Sequence, residues 1–393
     1  MNPLSALLNL SAKEKERQGL LHTPQEIAHQ KETWQQTWNL LEERLPAIRS
    51  FLESAGIQAE LKDRPTVFLI GAGTSDYIGR SLHHLLRQRW QCEVHVVPST
   101  DLLIDFSDYI LPGQRYLWLS FSRSGDSPEG VAVLQRALSE YPQISHLVVS
   151  CNESGRMVEL IQNNINSLAV LLPPETNDVG LAMTSSFTNM VIAGQALAHV
   201  WSPQDYAPVL QTMCATADRF LPIAAEAAHG LANTNYQRVC FIGSALLAGV
   251  ARESALKVLE LTAGNIKTMF ETTLGLRHGP MAALDHETLF VLFLSTDIAR
   301  QRYEKDLLHE IEQKQLVGAS VAVLPCGEIP KGLGDTEIVT AGGPPIPDLY
   351  RPPLDVLFGQ LLGLFFSLRC GLTPDTPSPN GAISRVVQPI EIY

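Results

Sequence analysis

The 393-residue chain has few basic residues, no closely paired cysteines and no long unbroken apolar run. It contains 29 lysines and arginines against 41 aspartates and glutamates, and a field of that sign repels nucleic acid. The six cysteines form no Cys-x-x-Cys pair, and none lies at ligand spacing from a histidine, so we expect reduced thiols and no metal centre. The most apolar stretch, residues 356–372, is interrupted by Gly359, Gly363 and Arg369, which predicts a buried helix rather than a membrane span.

The composition is that of a folded protein with more than one domain. Hydrophobic residues make up 45% of the chain and charged residues 18%, so the chain can fill a hydrophobic core. Residues 1–16 carry no apolar segment before their charges, so we expect no signal peptide and a soluble, cytoplasmic protein. An anionic small molecule can still bind where backbone N–H groups converge, because such a site does not depend on net charge.

Two series of five short apolar runs, each bounded by turn residues, predict two sets of buried parallel strands. The separation between Gly71 and Gly243 equals that between Leu117 and Leu289, so the two series share one register. We therefore predict an α/β protein that contains two copies of a doubly wound unit. The first series comprises residues 67–73, 93–98, 116–121, 146–151 and 168–172, and the second comprises 239–243, 265–270, 289–294, 320–324 and 337–340.

The remaining segments fit around these two copies. Residues 1–50 look helical, with Thr23 as a predicted N-cap and Pro24 at the first helical position. Residues 182–201 and 354–372 are expected to form long helices, one closing each copy. The resulting division is a helical N-terminal extension (1–50), a first α/β domain (51–205), a second α/β domain (218–372) and a C-terminal strap (373–393).

Two loops of the first copy carry groups that suit a phosphate, at the carboxyl ends of strands where open α/β sheets bind ligands. After the first strand, residues 71–73 lead into the hydroxyls of Thr74 and Ser75, which form either an anion cradle or an ordinary helix cap. After the third strand, residues 120–129 supply four serines, one glycine and one arginine, a set that suits a phosphate monoester. The matching loop of the second copy, residues 295–298, lacks these features.

The second copy carries a different set of residues. Glu253, Lys257 and Glu260 are spaced i, i+4, i+7, so they lie on one face of a predicted helix. A solvated salt-bridge stripe has the same spacing, so the pattern alone leaves both interpretations open. His278 follows in a predicted loop, within the stretch LRHGP at 276–280. A carboxylate, an ammonium and an imidazole are the groups needed to move a proton beside a carbonyl.

Together these stretches resemble the sugar isomerase (SIS) fold in its double-domain form, as in the isomerase half of glucosamine-6-phosphate synthase. The nearer resemblance is to the galactosamine-6-phosphate deaminase/isomerase proteins of the AgaS type, and it covers nearly the whole chain. It implies two tandem SIS domains, each a five-stranded parallel sheet flanked by helices. The most specific stretches are residues 122–129, 175–188, 251–264, 276–280 and 373–388.

The resemblance implies roles for individual residues. Glu260 falls on the glutamate that moves the proton between C1 and C2, and Lys257 on the lysine that supports the developing negative charge. His278 falls on the histidine that helps to open the pyranose ring, which the partner subunit supplies in the synthase. Thr184 falls near the sugar hydroxyls. The phosphate-binding positions are matched by Ser75, Ser122, Arg123 through its backbone, Ser124 and Ser127, and Thr74 adjoins them.

One departure from the synthase pattern bears on the direction of the reaction. Ser384 stands where the synthase has a lysine that holds a ketose substrate as an imine. The chain also contains no counterpart of the synthase's glutamine-hydrolysing domain, which delivers ammonia. Both differences favour the direction from amino sugar to ketose.

The resemblance therefore implies a deaminating isomerisation of an amino sugar phosphate in amino sugar catabolism. The favoured reaction converts D-galactosamine 6-phosphate and water to D-tagatose 6-phosphate and ammonia. No metal ion or organic cofactor is expected, because the amine itself provides the electron sink. The gluco epimer, which differs at C4, remains open as the substrate.

Two other functions fit the same residues. The first alternative is a ketose/aldose phosphate isomerase that releases no ammonia, and the second is a sugar-phosphate sensor without turnover. The set of Glu260, Lys257 and His278 argues against the sensor, which needs only the phosphate loops. We expect a homodimer or larger assembly with shared active sites, and no nucleic-acid or membrane partner.

Overall fold

The computed structural model describes residues 1–387 and 391–392, so the end of the predicted C-terminal strap (388–390 and 393) lies outside the described residues. Ten strands form where the apolar runs predicted them. They are β1 (Thr66–Gly71), β2 (Val94–Pro98), β3 (Tyr116–Ser122), β4 (Ser145–Ser150), β5 (Ser167–Leu171), β6 (Arg238–Gly243), β7 (Lys267–Thr272), β8 (Thr288–Phe293), β9 (Ala319–Val323) and β10 (Glu337–Val339).

The strands build two parallel five-stranded sheets with the same topology. Sheet 1 has the order β2-β1-β3-β4-β5, and sheet 2 has the order β10-β9-β8-β6-β7, which is the same pattern read from the other edge. Val67 of β1 lies opposite Leu117 of β3, and Val239 of β6 lies opposite Leu289 of β8. The offset predicted from the sequence therefore holds for the central strand pair of each sheet, which confirms the α/β fold and the duplication.

Along the chain, helices connect the strands and also precede and follow each set of five strands. They are α1 (Pro3–Leu8), α2 (Ala12–Gln18), α3 (Thr23–Ala28), α4 (Gln30–Ser54), α5 (Thr74–Trp90), α6 (Ser99–Ile104), α7 (Phe106–Tyr109), α8 (Pro128–Glu140), α9 (Arg156–Ile161), α10 (Ser185–Ala198), α11 (Pro203–Ala232), α12 (Leu247–Leu261), α13 (Ile298–Gln313) and α14 (Pro352–Arg369). The two long helices expected near 182–201 and 354–372 are α10 and α14. In the part of the chain that the structure describes, no helix is long and apolar enough to cross a membrane.

The chain divides into two compact units, each with one sheet. The sheet 1 unit contains Glu32–Asn177, Ser185–Pro208 and the described residues from Ile383 onward, and the sheet 2 unit contains Met1–Lys31, Asp178–Thr184 and Val209–Ala382. In the sheet 1 unit, aromatic side chains that include Phe68, Phe106 and Trp118 pack over one face of the sheet.

The helical start near Thr23 differs from the prediction in its cap. Thr23 is the first residue of α3, and His22 before it makes no capping hydrogen bond through its side chain. The carboxylate of Asp375 caps the helix instead, because it accepts hydrogen bonds from the N–H groups of Leu21 (2.7 Å) and Thr23 (2.8 Å). The Thr23 hydroxyl also donates to Asp375. The predicted Thr23 cap is therefore wrong, because a carboxylate from the C-terminal tail satisfies these donors.

The central helix pair of the sheet 2 unit packs closely because α14 carries glycine where it meets α12. A side chain at Gly359 would place its Cβ 2.2 Å from the hydroxyl oxygen of Ser254. At Gly363 the Cβ would lie 3.1 Å from the carbonyl oxygen of Lys257. The glycines that interrupt the apolar stretch of α14 thus allow α12 to approach, and α14 is buried from Pro352 to Ser367.

Candidate active site

The first phosphate-binding candidate is the turn between β1 and α5 in the sheet 1 unit. A side chain at Gly71 would place its Cβ 2.3 Å from the carbonyl carbon of Ser75, so the turn can close only on a glycine. Gly73 has a φ of +55°, in the left-handed region, and the helix begins directly after it. Thr74 and Ser75 therefore sit in the first turn of α5, where helix N–H groups favour an anion.

The second candidate is the loop between β3 and α8, here called the serine loop (122–127). The hydroxyl of Ser122 accepts the N–H of Gly125 (3.0 Å), and that of Ser124 accepts the N–H of Asp126 (3.1 Å). Gly125 has a φ of +70°, so the chain reverses within the loop. Ser127 directly precedes α8, and its side chain makes no capping hydrogen bond to that helix. The loop therefore gathers hydroxyl and N–H groups at the start of α8, as a phosphate site requires.

The serine loop is braced by the segment that follows β4. The side-chain amide of Asn152 donates to the carbonyl oxygen of Ser124 (2.8 Å), and the N–H of Arg156 donates to the carboxylate of Asp126 (2.9 Å). The Cβ of a side chain at Gly125 would lie only 2.9 Å from the Cα of Gly155. These contacts hold the loop in shape before any ligand arrives, which lowers the entropy cost of binding.

Arg123 faces the C-terminal tail. Its buried guanidinium donates a hydrogen bond to the carbonyl oxygen of Arg385. The Arg385 guanidinium in turn donates to the side chain of Asn177 (2.7 Å), and the neighbouring Ser384 hydroxyl donates to the carbonyl of Val386 (2.7 Å). The structure thus brings Arg123 and the tail around Ser384 together within the sheet 1 unit. A phosphate contact through the Arg123 backbone is compatible with this arrangement of its side chain.

The charged face of α12 is buried in the sheet 2 unit. The side chains of Glu253 and Lys257 are fully buried, whereas that of Glu260 is 24% exposed. The Lys257 Nζ lies 2.6 Å from the Glu260 Oε2 and 3.3 Å from the Glu253 Oε1. The structure therefore excludes a solvated salt-bridge stripe, which the spacing had left open, because two of the three side chains have no contact with solvent.

The two carboxylates keep the Lys257 ammonium charged. Burial alone lowers the pKa of a lysine, but the negative charges and hydrogen bonds of Glu253 and Glu260 outweigh burial and raise the pKa of Lys257. One cation lies between two carboxylates, and only the Glu260 carboxylate reaches solvent. Glu260 is thus the member of the set that a substrate can contact.

His278 lies at the end of a short 3-10 helix, Gly275–His278, and its side chain is exposed. Arg277 anchors this segment through an ion pair with Glu310 of α13 (2.7 Å). Within one chain, no hydrogen bond joins His278 to Glu260 among the described residues. An exposed imidazole on a fixed loop is available to a second molecule.

Thr184 has a structural role that the sequence did not suggest. Its hydroxyl and its N–H both donate to the buried carboxylate of Asp178, at 3.1 and 2.8 Å. Next to them, Glu26 accepts the N–H groups of Val179 (2.5 Å) and Gly180 (3.1 Å). Burial and the nearby charge of Asp178 raise the pKa of Glu26 to about 7. Sequence reasoning missed both carboxylates: Asp178 lies only six residues before Thr184 but in no recognised motif, and Glu26 is about 150 residues away along the chain.

Across residues 1–387 and 391–392, no three histidine, cysteine, aspartate or glutamate side chains are grouped so that they could hold a metal ion.

The chain is similar to known proteins in fold and in sequence. No family model matches the chain. In fold alone, it is similar to the C-terminal domain of glucosamine-fructose-6-phosphate aminotransferase from Francisella tularensis (15% identity, TM-score 0.72, 90% of this chain and 98% of that chain). It is also similar to the solved structure of tagatose-6-phosphate ketose/aldose isomerase from Escherichia coli (32% identity, TM-score 0.82, 90% of this chain and 94% of that chain). These likenesses define a double-SIS-domain protein.

The sequence relatives narrow the assignment further. The chain is 36% identical over 388 residues to D-galactosamine-6-phosphate deaminase AgaS from Escherichia coli O157:H7, covering 94% of this chain and 95% of the relative. The chain belongs to the AgaS family, and the resemblance stated from the sequence is confirmed.

Proposed function

We propose that the protein is an enzyme that converts an amino sugar phosphate to a ketose phosphate with loss of ammonia. The favoured reaction is D-galactosamine 6-phosphate plus water to D-tagatose 6-phosphate plus ammonia, the substrate named for the AgaS relative. The observation that carries this proposal is the pairing of a partly exposed carboxylate, Glu260, with a buried and charged ammonium, Lys257, 2.6 Å away. A sensor would have no use for such a pair.

The phosphate of the substrate binds to the first turn of α5 and to the serine loop. Thr74, Ser75, Ser122, Ser124 and Ser127 supply hydroxyls, and Arg123 contributes through its backbone. A phosphate is not altered in the reaction, so its binding energy is available to hold C1 and C2 in position for proton transfer.

Glu260 moves the proton. With the ring open, its carboxylate removes the C2 proton while the C1 carbonyl oxygen gains a proton, which gives an enolamine. A proton is then returned to C1, and the C2 carbon becomes an iminium. Water adds to this carbon and the C2–N bond breaks, so that ammonia and the ketose are the products. Lys257 stabilises the negative charge that develops on the substrate and orients the Glu260 carboxylate.

His278 assists opening of the pyranose ring, and we place it in the active site of a second subunit. Its exposure in the single chain supports this role. The assembly is accordingly a homodimer or larger, with shared active sites. The segment that contains Thr184 lies near the sugar hydroxyls. The tail has Ser384 where the synthase has a lysine, so it offers no amine that could hold a ketose as an imine.

We also propose limits for the two domains, a metabolic role and a cellular location. The SIS domains span residues 51–205 and 218–372, between a helical extension (1–50) and a strap (373–393), because each span holds one complete sheet. The reaction belongs to amino sugar catabolism, of N-acetylgalactosamine among others. It takes place in the cytoplasm, because a phosphorylated sugar is charged and does not cross a bilayer.

A second candidate function is a ketose/aldose isomerase that releases no ammonia, which the name of the similar Escherichia coli structure favours. Separate incubations with galactosamine 6-phosphate, glucosamine 6-phosphate and tagatose 6-phosphate distinguish the candidates. We expect ammonium and a ketose 6-phosphate from the galacto epimer. Interconversion of tagatose 6-phosphate and its aldose without ammonium would support the plain isomerase, and binding without any turnover would support the sensor.

A further inference from the structure

The loop that follows β8 in the sheet 2 unit corresponds to the serine loop through the duplication. Because Leu289 of β8 is the counterpart of Leu117 of β3, the same offset places Ser295 and Thr296 at the positions of Arg123 and Ser124. In both sheets this loop leaves the carboxyl end of a strand that pairs with the first strand of its copy, and it leads into a helix. That is the place where a parallel α/β sheet binds its ligand.

This second loop is already occupied by an anion, the carboxylate of Asp348. The hydroxyl of Ser295 donates to its Oδ2, and the N–H and the hydroxyl of Thr296 donate to its Oδ1 at 2.9 and 3.0 Å. Arg300 donates to Oδ2 (2.8 Å) and Arg351 to Oδ1 (3.2 Å). Two hydroxyls, one backbone N–H and two guanidinium groups therefore converge on one buried carboxylate. Such a donor set is typical of a phosphate site.

The charge balance of the loop also fits an anion. Burial raises the pKa of Asp348, but Arg351 and the donors from Ser295 and Thr296 outweigh burial, so the pKa is lowered and the carboxylate is ionised. Arg351 is fully buried and also forms an ion pair with the buried carboxylate of Asp355 (2.5 Å), whereas the Arg300 side chain is 41% exposed. Arg300 also lines an open cavity of about 320 Å³, together with Tyr303 and Ser244, so this arginine is accessible from solvent.

We propose that residues 295–297, with Arg300 and Arg351, form a second anion-binding site that the chain fills with its own Asp348. The site takes inorganic phosphate or a phosphomonoester once the carboxylate is removed. The duplication thus left two phosphate cradles, one open in the serine loop and one closed by an internal carboxylate. The sequence concealed the second cradle, because its anion comes from a later segment of the chain, beyond β9 and β10.

The test measures binding of inorganic phosphate by calorimetry in a background of S122A and S124A, which removes two hydroxyls of the serine loop and weakens the first phosphate site. In that background we compare three proteins: the one that retains Asp348, D348G, and the isosteric but neutral D348N. The expected result is one more equivalent of bound phosphate per chain for D348G than for the other two proteins. A folded D348G protein that binds no more phosphate than the protein that retains Asp348 overturns the proposal.

A second measurement applies if D348G does not accumulate in folded form. D348G is refolded from urea in phosphate and in sodium chloride of equal ionic strength. The proposal predicts that phosphate, by taking the place of the Asp348 carboxylate beside Arg300 and Arg351, restores folding of D348G and has no such effect on D348N. Equal yields of D348G in the two salts contradict it.

Discussion

Lys257 is an ammonium with no exposed surface, and its position depends on two carboxylates on the same helix face. Transfer of an ion from water to a protein interior costs several kcal/mol, so such a group is stable only while its partners remain. Glu253 is fully buried and Glu260 is not, so the two partners have different tasks. Glu253 holds the charge in the core, and Glu260 presents a carboxylate at the surface.

Replacing Lys257 separates the structural role from the chemical one. K257M leaves Glu253 buried without its cation, so we expect a loss of about 3–5 kcal/mol in the free energy of unfolding. E253Q/K257M removes the stranded charge and should recover most of that stability. Activity should stay low in both variants, because no ammonium remains beside Glu260. If E253Q/K257M regains both stability and activity, Lys257 serves only helix packing.

Glu304 gives the stability a predictable pH dependence. It is fully buried, it accepts the Ser244 hydroxyl (2.6 Å) and the N–H of Ser295 (3.0 Å), and burial raises its pKa from 4.5 to about 7. Because the folded state holds this proton more tightly, its contribution is fully present below about pH 4.5 and is lost as the pH rises through 7. The loss amounts to at most about 3 kcal/mol.

The measurement is the thermal midpoint of the wild type and E304Q at pH 5 and pH 8. The wild type should lose more stability than E304Q between these pH values. E16Q, which changes an exposed glutamate, should follow the wild type. Parallel pH profiles for the wild type and E304Q would show that Glu304 does not titrate in this range.

At the scale of the elements, the approach of α12 to α14 sets up the charged face. Gly359 leaves no room for a Cβ beside Ser254, so G359A must push the helices apart. We expect a loss of about 1–3 kcal/mol, together with reduced activity, because Lys257 and Glu253 depend on that contact. Denaturant unfolding and turnover measure the two effects.

Gly230 provides the matched control for G359A. It also lies within a helix, α11, but it is exposed, and a Cβ added there would meet no atom within 4 Å. G230A should therefore raise stability by about 0.4–1 kcal/mol through the unfolded state, without an effect on turnover. A G359A protein that behaves like G230A would mean that the helices need no glycine contact.

The strands and their register could be predicted from the sequence, because buried parallel strands are local apolar runs bounded by turns. The N-terminal cap of α3 could not be predicted from the sequence, because the acceptor is Asp375, near the other end of the chain. The spacing of Glu253 and Lys257 likewise left open whether their face is buried, since that depends on glycines in α14. The second anion site stayed hidden because Asp348 reaches its loop only in the folded chain.

At the scale of the whole molecule, a His278 supplied by the partner subunit can be tested with mixed assemblies. H278A and E260Q should each lose activity. In a hybrid dimer one site would combine both substitutions and the other would have neither, so mixing the unfolded chains and refolding them should restore about a quarter of the wild-type activity. No recovery, or a fully active monomer by light scattering, would contradict a shared site.

The central claim is that Glu260 transfers the proton in a deamination. The most direct measurement is the rate of ammonium release from galactosamine 6-phosphate by the wild type, E260Q and the exposed control E328Q. The account predicts ammonium from the wild type and E328Q at equal rates, and a rate about 10²–10⁴-fold lower for E260Q, with substrate affinity nearly unchanged. Release by E260Q at the wild-type rate would contradict it.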